Sequence, residues 1–381
     1  MLRTSIGYHT ISLFLRLSWE EADALMYYFQ HYSKKTGNIE IIKDLPGLKN
    51  AYLIRFIGKD RGVKWILHFN NTVKEFRYYG IEVVMNPKIL ADENDYVKAS
   101  DETHLPKAIV AYNDLVKEIS DELLMFDMKL PLFANYLIKR IDYCINFDIR
   151  ELGYFCDIDL LIDLIRRGNI PYNFKEPYDE IKHRRKSKDN SFYLESRGMT
   201  INCYSKYAEW LADHPDRFGI EESRYVIRFE VQCRRNKIRY MIEKETRLMT
   251  DDEKRKFSPY DYLLSNEVSV KIVWDYFTQV IMQGDYYVLD DAIDKVKESP
   301  FRQQRQGRLI DTLKLVADRQ GIDNARKYLY KSGDEKELQQ FDWSLHDLAG
   351  MKINPVCIPR RKEVKCIPGL LRAFEKMTKN K

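Results

Sequence analysis

Three segments of this chain alternate residue by residue between apolar and polar side chains, which restricts them to strands of a sheet with one packed face. Successive side chains of a strand point to opposite faces, so alternate residues share a face. Over 137–148 (LIKRIDYCINFD) the apolar set is Ile141, Tyr143, Ile145 and Phe147. The opposite set is Arg140, Asp142, Cys144, Asn146 and Asp148. Over 225–234 (YVIRFEVQCR) the apolar residues are Tyr225, Ile227, Phe229, Val231 and Cys233, opposed by Arg228, Glu230, Gln232 and Arg234. Between them lie two shorter strands, 191–196 and 200–206, joined across Arg197-Gly198. In the second of these, Thr200, Asn202 and Tyr204 face one way, and Ile201 and Cys203 the other. Such strands form an antiparallel sheet with a packed and a polar face. The polar face collects Asp142, Asn146, Asp148, Tyr204, Arg228 and Glu230.

The rest of the chain supplies helices around that sheet. An N-terminal strand is followed by a capping box, Ser18 with Glu21, opening a helix through Leu25, Met26 and Phe29. Residues 51–57 and 63–69 read as a hairpin around Lys59-Asp60-Arg61-Gly62, and 76–86 as a strand halted by Pro87. Helical periodicity covers about 107–126 and 157–167, and again 266–283, 288–298, 303–319 and 322–331. The expected class is therefore α+β, a central antiparallel sheet flanked by helices, with an α-helical C-terminal domain. At 381 residues two or three domains are expected. Beyond about residue 240 the pattern becomes helical, and the expected division is 1–100 (an α+β half), 101–245 (a second α+β half that carries the polar sheet face) and 246–381 (a helical accessory domain). The two halves before residue 240 share a loosely similar order of helix and strand.

Composition excludes several classes. With 44% hydrophobic and 32% charged residues the chain is neither disordered nor collagen-like. No apolar run reaches the ~18 residues of a membrane span, and Arg16 interrupts the longest N-terminal apolar stretch, so neither a membrane span nor a signal peptide is expected. Six cysteines without a CxxC pair argue against a zinc site or a disulfide framework and predict a reducing, cytoplasmic setting. None of the seven histidines forms an HxH or HxxxH pair. Sixty-three Lys and Arg against 58 Asp and Glu leave a net charge of only +5, but the bases are clustered: 183–188, 234–239, 302–308 and 360–365. Where such runs contact DNA, binding falls with salt at a log–log slope of about −0.9 per neutralised phosphate. Residues 309–329 have helix–turn–helix length, with Gly321 at the turn.

Three carboxylates on one sheet face repel one another, and hard oxygen donors of that kind suit Mg²⁺ or Mn²⁺. A tyrosine beside them can serve as a nucleophile. A free tyrosine, with a pKa of about 10, is only ~0.1% ionised at neutral pH, so it needs a cation or base nearby.

The segments RIDYCINFD (140–148), YLESRG with INCYSK (193–206) and RFEVQCRR (228–235) resemble three successive motifs of rolling-circle replication initiators of the Rep-trans type. These occur on Gram-positive plasmids, with relatives in phages and conjugative elements. The upstream strand GIEVVMNPKIL (80–90) also resembles the family's, and the resemblance spans about 75–240. Two positions depart from the family pattern: Asn146 stands where Asp is commoner, and Ser205 where Asp or Asn precedes the lysine.

The resemblance implies a fold related to the HUH endonucleases but lacking their histidine pair. It implies site-specific nicking and strand transfer at an origin through a 5′-phosphotyrosine, with DNA binding by the half at 1–100 and nicking by the half at 101–245. Tyr204 falls on the family's nucleophile and Lys206 on its lysine. Asp142 and Glu230, with Asp148 contributing, fall on the acids that hold Mg²⁺ or Mn²⁺. Arg197 and Arg228 are read as phosphate clamps, and Arg140, Arg184, Arg185, Lys186, Arg234 and Arg235 as further DNA contacts. The implied partners are double-stranded origin DNA, the single-stranded nick site, and the host helicase and polymerase; dimers are usual in the family. A conjugative relaxase with the same chemistry, or a catalytically inactive DNA-binding protein, are the competing expectations.

Overall fold

A computed structural model of the chain describes residues 5–45, 48–57, 61–70, 78–91, 97–121, 130–154, 156–179, 184–185, 190–213 and 221–379. The chain begins β1 (Ser5–Leu17), α1 (Trp19–Thr36), β2 (Ile39–Leu45), β3 (Leu48–Phe56), β4 (Val63–Asn70), β5 (Tyr78–Met85), α2 (Pro87–Leu90) and α3 (His104–Asp121). It continues with β6 (Leu137–Asp148), α4 (Ile158–Arg166), β7 (Tyr178–Asp179), β8 (Arg184–Arg185), β9 (Ser191–Glu195), β10 (Met199–Ser205), α5 (Lys206–Asp213), β11 (Val226–Arg234) and α6 (Arg235–Thr246). The remainder is almost wholly helical: α7 (Asp251–Lys256), α8 (Pro259–Leu263), α9 (Asn266–Val280), α10 (Leu289–Lys297), α11 (Gln303–Asp318), α12 (Ile322–Ser332), α13 (Glu335–Gly350) and α14 (Leu370–Lys379). A two-stranded pair, β12 (Tyr286–Tyr287) with β13 (Cys366–Ile367), interrupts it.

The architecture is α+β, with a large antiparallel sheet flanked by helices and a helical C-terminal region. Among the described residues its strand order is β2-β3-β4-β5-β1-β6-β11-β10-β9. The chain divides into two compact units, Ile6–Ile145 with Gln232–Ser269, and Met1–Ser5 with Asn146–Val231 and Val270–Lys381. Strands β6 and β11 each pass from one unit into the other. The units are discontinuous in sequence because long-range strand pairing brings distant segments into one core. No helix among the described residues is long and apolar enough to cross a membrane.

In the unit built on Ile6–Ile145, the capping box forms as the sequence predicts. The Glu21 amide donates to Ser18 Oγ at 3.2 Å, the Ser18 amide donates to Glu21 Oε2 at 2.7 Å, and Gly37 ends the helix at φ 66°. Trp65 is the centre of this core. Wholly buried, it packs against Phe29 and Phe56 at centroid distances of 5.6 and 5.8 Å. Gly62 follows the β3–β4 connection at φ 72°, where a Cβ would lie 2.6 Å from the Leu90 amide nitrogen, so only glycine fits. Asn86 and Pro87 start α2 rather than merely stopping a strand: Asn86 Oδ1 accepts from the Lys88 and Ile89 amides, and proline suits the first helical turn.

The other unit packs around Phe277 of α9, which meets Phe147, Phe229 and Phe374 at 5.4, 5.1 and 5.2 Å. Phe147 and Phe229 are the apolar faces of β6 and β11, as the alternation requires. The hinted internal similarity takes a definite form in the strand orders. Each half runs strand, helix, then successive strands, and returns its last strand beside its first: β2-β3-β4-β5-β1 and β9-β10-β11-β6. Each last strand carries a buried glutamate four residues before the N-cap of the following helix. These are Glu82 before Asn86 and Glu230 before Arg234.

Glu82 shows what such a position demands. Burial pushes its carboxyl up, but His68 at 3.1 Å, Lys139 at 2.5 Å and Ser12 at 2.5 Å outweigh that and hold it down at about 2. A carboxyl depressed in the fold stabilises above its unfolded value near 4.5, and that contribution is lost as pH falls toward 2. The shift corresponds to about 3 kcal/mol. Glu82→Gln is therefore expected to be less stable than the parent at pH 7 by about that amount. The two urea-unfolding free energies should converge as pH approaches 2; a gap that stays constant with pH refutes the assignment.

Candidate active site

The site is assembled within the unit that contains Asn146–Val231. Strand β10 places Asn202 and Tyr204 two residues apart, hence on one face, and β11 lies beside it. Glu230 of β11 receives both: Tyr204 donates its hydroxyl to Oε2 at 3.2 Å, and Asn202 Nδ2 donates to Oε1 at 3.3 Å. The strand ends at Ser205, and Lys206 begins α5, one residue earlier than the sequence pattern places the break. Its ammonium is wholly buried, bonded to Glu209, and lies 5.9 Å from the Tyr204 ring centroid. Burial pushes the Lys206 ammonium down to about 8, aided by the Arg228 charge, while Glu209 and Glu230 pull it back up.

Arg228 is also wholly buried, and its Nε donates to Asn146 Oδ1 at 2.7 Å. The face that alternation marks as polar is thus covered rather than solvated: Asn146, Asp148, Asn202, Tyr204, Arg228 and Glu230 are all buried. Buried charges persist only where hydrogen bonds and opposite charges compensate them. At Lys206 those conditions are met by Glu209 and Glu230, which oppose the Arg228 charge, and at Arg228 by the Asn146 side-chain oxygen.

The remaining expected residues take various positions. Asp148 ends β6, and its Oδ1 accepts the amides of Arg150 and Glu151 at 3.0 and 3.4 Å, closing the turn that follows. Asp142 and Arg140 belong to the other unit, where Arg140 Nε lies 3.0 Å from Asp142 Oδ1 and Asp142 is 2% exposed. Arg197 is exposed in the bend between β9 and β10. Arg234 is the N-cap of α6 and Arg235 its first residue, both exposed. The backbone of Arg184 and Arg185 pairs with Tyr178 and Asp179, and Lys186 lies outside the described residues.

Two members of the cluster, Asn202 and Glu209, are not among the site residues that the sequence singles out, although Asn202 is placed on the Tyr204 face. Asn202 shares the alternation that singles out Tyr204, and Glu209 stands one helical turn beyond Lys206, so both carry a local signal. Among the described residues no group of three or more His, Cys, Asp or Glu side chains is placed to hold a metal ion. A smaller oxygen set is present. Glu230 supplies a carboxylate, and the buried Oδ1 of Asn202 has no hydrogen-bond partner. Mg²⁺ typically uses one or two protein carboxylates and completes its shell with water and substrate phosphates. The donor chemistry fits such an ion, although a preformed cage of Asp142, Asp148 and Glu230 does not appear among the described residues.

Chemically, the arrangement offers a phenol donating to a carboxylate, with a buried ammonium at hand whose proton is labile near neutral pH. That combination can deliver a tyrosine oxygen to an electrophile. Comparison with protein-family models and with curated proteins found no match to this chain.

Proposed function

We propose that the chain is an initiator of rolling-circle DNA replication, a site-specific enzyme that nicks and rejoins one strand at an origin. The observation that carries this reading is the Tyr204–Glu230 hydrogen bond beside buried Lys206, on strands whose motifs resemble the Rep-trans initiators. A large antiparallel sheet with helices around it is compatible with an HUH-related fold, and that relationship is part of the proposal.

In this reading the Tyr204 oxygen attacks the scissile phosphorus as its proton passes into the Glu230–Lys206 network. The bond from phosphorus to the 3′ oxygen breaks, and that oxygen takes a proton back from the same network and leaves as a 3′-OH able to prime synthesis. The 5′ phosphate stays on Tyr204. Because one phosphodiester replaces another, the 3′-OH can reverse the step without ATP. Mg²⁺ or Mn²⁺, when bound, would neutralise charge developing on the phosphate, with Glu230 and Asn202 as the residues that would hold it. Exposed Arg197, Arg234 and Arg235 are proposed to hold the DNA backbone, and Arg228 to keep the site's charge balanced from within. Origin DNA, the host helicase and polymerase, a second copy of the chain and a cytoplasmic setting belong to the same proposal. A conjugative relaxase shares every chemical step and is separated from an initiator only by its neighbouring genes.

Supercoiled plasmid carrying the DNA that flanks this protein's gene, incubated with protein and Mn²⁺, is expected to yield open circles. Labelled single strands of the same region should yield a covalent adduct on denaturing gels. Specific retention of that DNA without any nick would overturn the enzyme reading in favour of a DNA-binding regulator.

A further inference from the structure

We infer that Asn202 is a ligand of the divalent cation, its side-chain oxygen and the Glu230 carboxylate forming a half-site that the bound phosphate completes. Asn202 is 6% exposed, and its amide is used on one side only: Nδ2 donates to Glu230 Oε1, whereas Oδ1 is buried and accepts nothing. A buried carbonyl oxygen without a donor is costly, and native structures seldom leave one unless something else occupies it. This oxygen belongs to the amide whose nitrogen donates to the carboxylate that also accepts the Tyr204 hydroxyl. An amide oxygen with a carboxylate oxygen is a hard donor pair, suited to Mg²⁺ or Mn²⁺ and ill suited to softer metals.

Charge decides when the ion enters. Lys206 and Arg228 are wholly buried cations that repel one another, and Glu209 and Glu230 oppose that repulsion at Lys206. A divalent cation alone would add two positive charges beside these buried cations, which a low-dielectric site resists. A cation arriving with a phosphodiester and its oxygens leaves a smaller excess and a fuller shell. Cation and DNA therefore bind with positive coupling, and each tightens the other by the same factor.

This inference rests on the proposed function only for the identity of the phosphate; the cation half-site is tested without cleavage. Mn²⁺ alone is titrated into the full-length protein, and free Mn²⁺ is followed by electron paramagnetic resonance. The parent is expected to bind weakly, Asn202→Ala at least fivefold more weakly, and Asn202→Asp at least tenfold more tightly. Equal affinities in all three would overturn the inference. Since either variant could misfold, crystals of the parent soaked in Mn²⁺ provide a second measurement. An anomalous peak is expected about 2.2 Å from both Asn202 Oδ1 and a Glu230 oxygen. An ordered water at Oδ1, with no metal, would equally overturn it. Nicking that fails while the peak is present would instead count against the initiator reading alone. Adding single-stranded DNA from the gene-flanking region to a Tyr204→Phe background should tighten Mn²⁺ at least tenfold; an unchanged affinity refutes the coupling.

Discussion

Tyr204→Phe is expected to form no covalent adduct and to nick at least about 10⁴-fold more slowly than the parent, because the only atom removed is the oxygen proposed to attack. DNA affinity should be unchanged, since the aromatic ring and all the surrounding bases remain. Stability should fall by only about 1 kcal/mol: Glu230 loses one donor but keeps the Asn202 amide. Tyr193→Phe is the matched control. Tyr193 lies opposite Asn202 on β9, close enough for Glu230 to act on it, yet burial first, and then the Glu230 and Glu209 charges, push its phenol up. Tyr143 is still less suited, being wholly buried with its hydroxyl donated to the Leu263 carbonyl. Equal nicking by Tyr204→Phe, or loss of the adduct in Tyr193→Phe, would move the nucleophile elsewhere.

Glu230→Gln should lower the rate by roughly 10²- to 10³-fold and also change its dependence on pH. In the proposed mechanism the reactive state holds a single proton between Tyr204 and Lys206, and it forms as pH rises through the lysine's value near 8. In the parent, nicking should rise about tenfold per pH unit and level off near pH 8. Glu230 raises the Lys206 value, so removing its charge lowers it, and the levelling point must move below 8. Lys206→Met should show no levelling there at all. Glu230→Gln also leaves Lys206 and Arg228 with one carboxylate fewer, at a cost of about 3 kcal/mol, read from urea unfolding. A levelling point at the same pH in parent and Glu230→Gln would remove Lys206 from the chemistry.

Much of the scaffold is legible in local pattern. Alternation alone identifies β6, β10 and β11, and the Ser18–Glu21 pair locates the start of α1. Both signals depend on neighbours a few residues apart. Elements whose local signal is thin escape: α6 buries only Ile238 and Met241 in a strongly basic segment that reads as a charge run. The Asp148 carboxylate is taken by two amides of the turn that follows, which no residue pattern reveals. Asn202 is visible on the correct face of its strand but is chemically unremarkable until its oxygen is found buried and unsatisfied.

Residue order therefore dictates which side chains share a face, since that follows from strand geometry and requires no partner. It says nothing of what covers the face. Long-range pairing puts β11 beside β10, brings Glu230 to Tyr204 and buries Lys206 against Glu209. Burial in turn changes the chemistry: the lysine that would hold its proton firmly in water gives it up near pH 8 once desolvated beside Arg228. The alternating strands thus define a polar surface, and only the packed sheet makes of it an enclosed site.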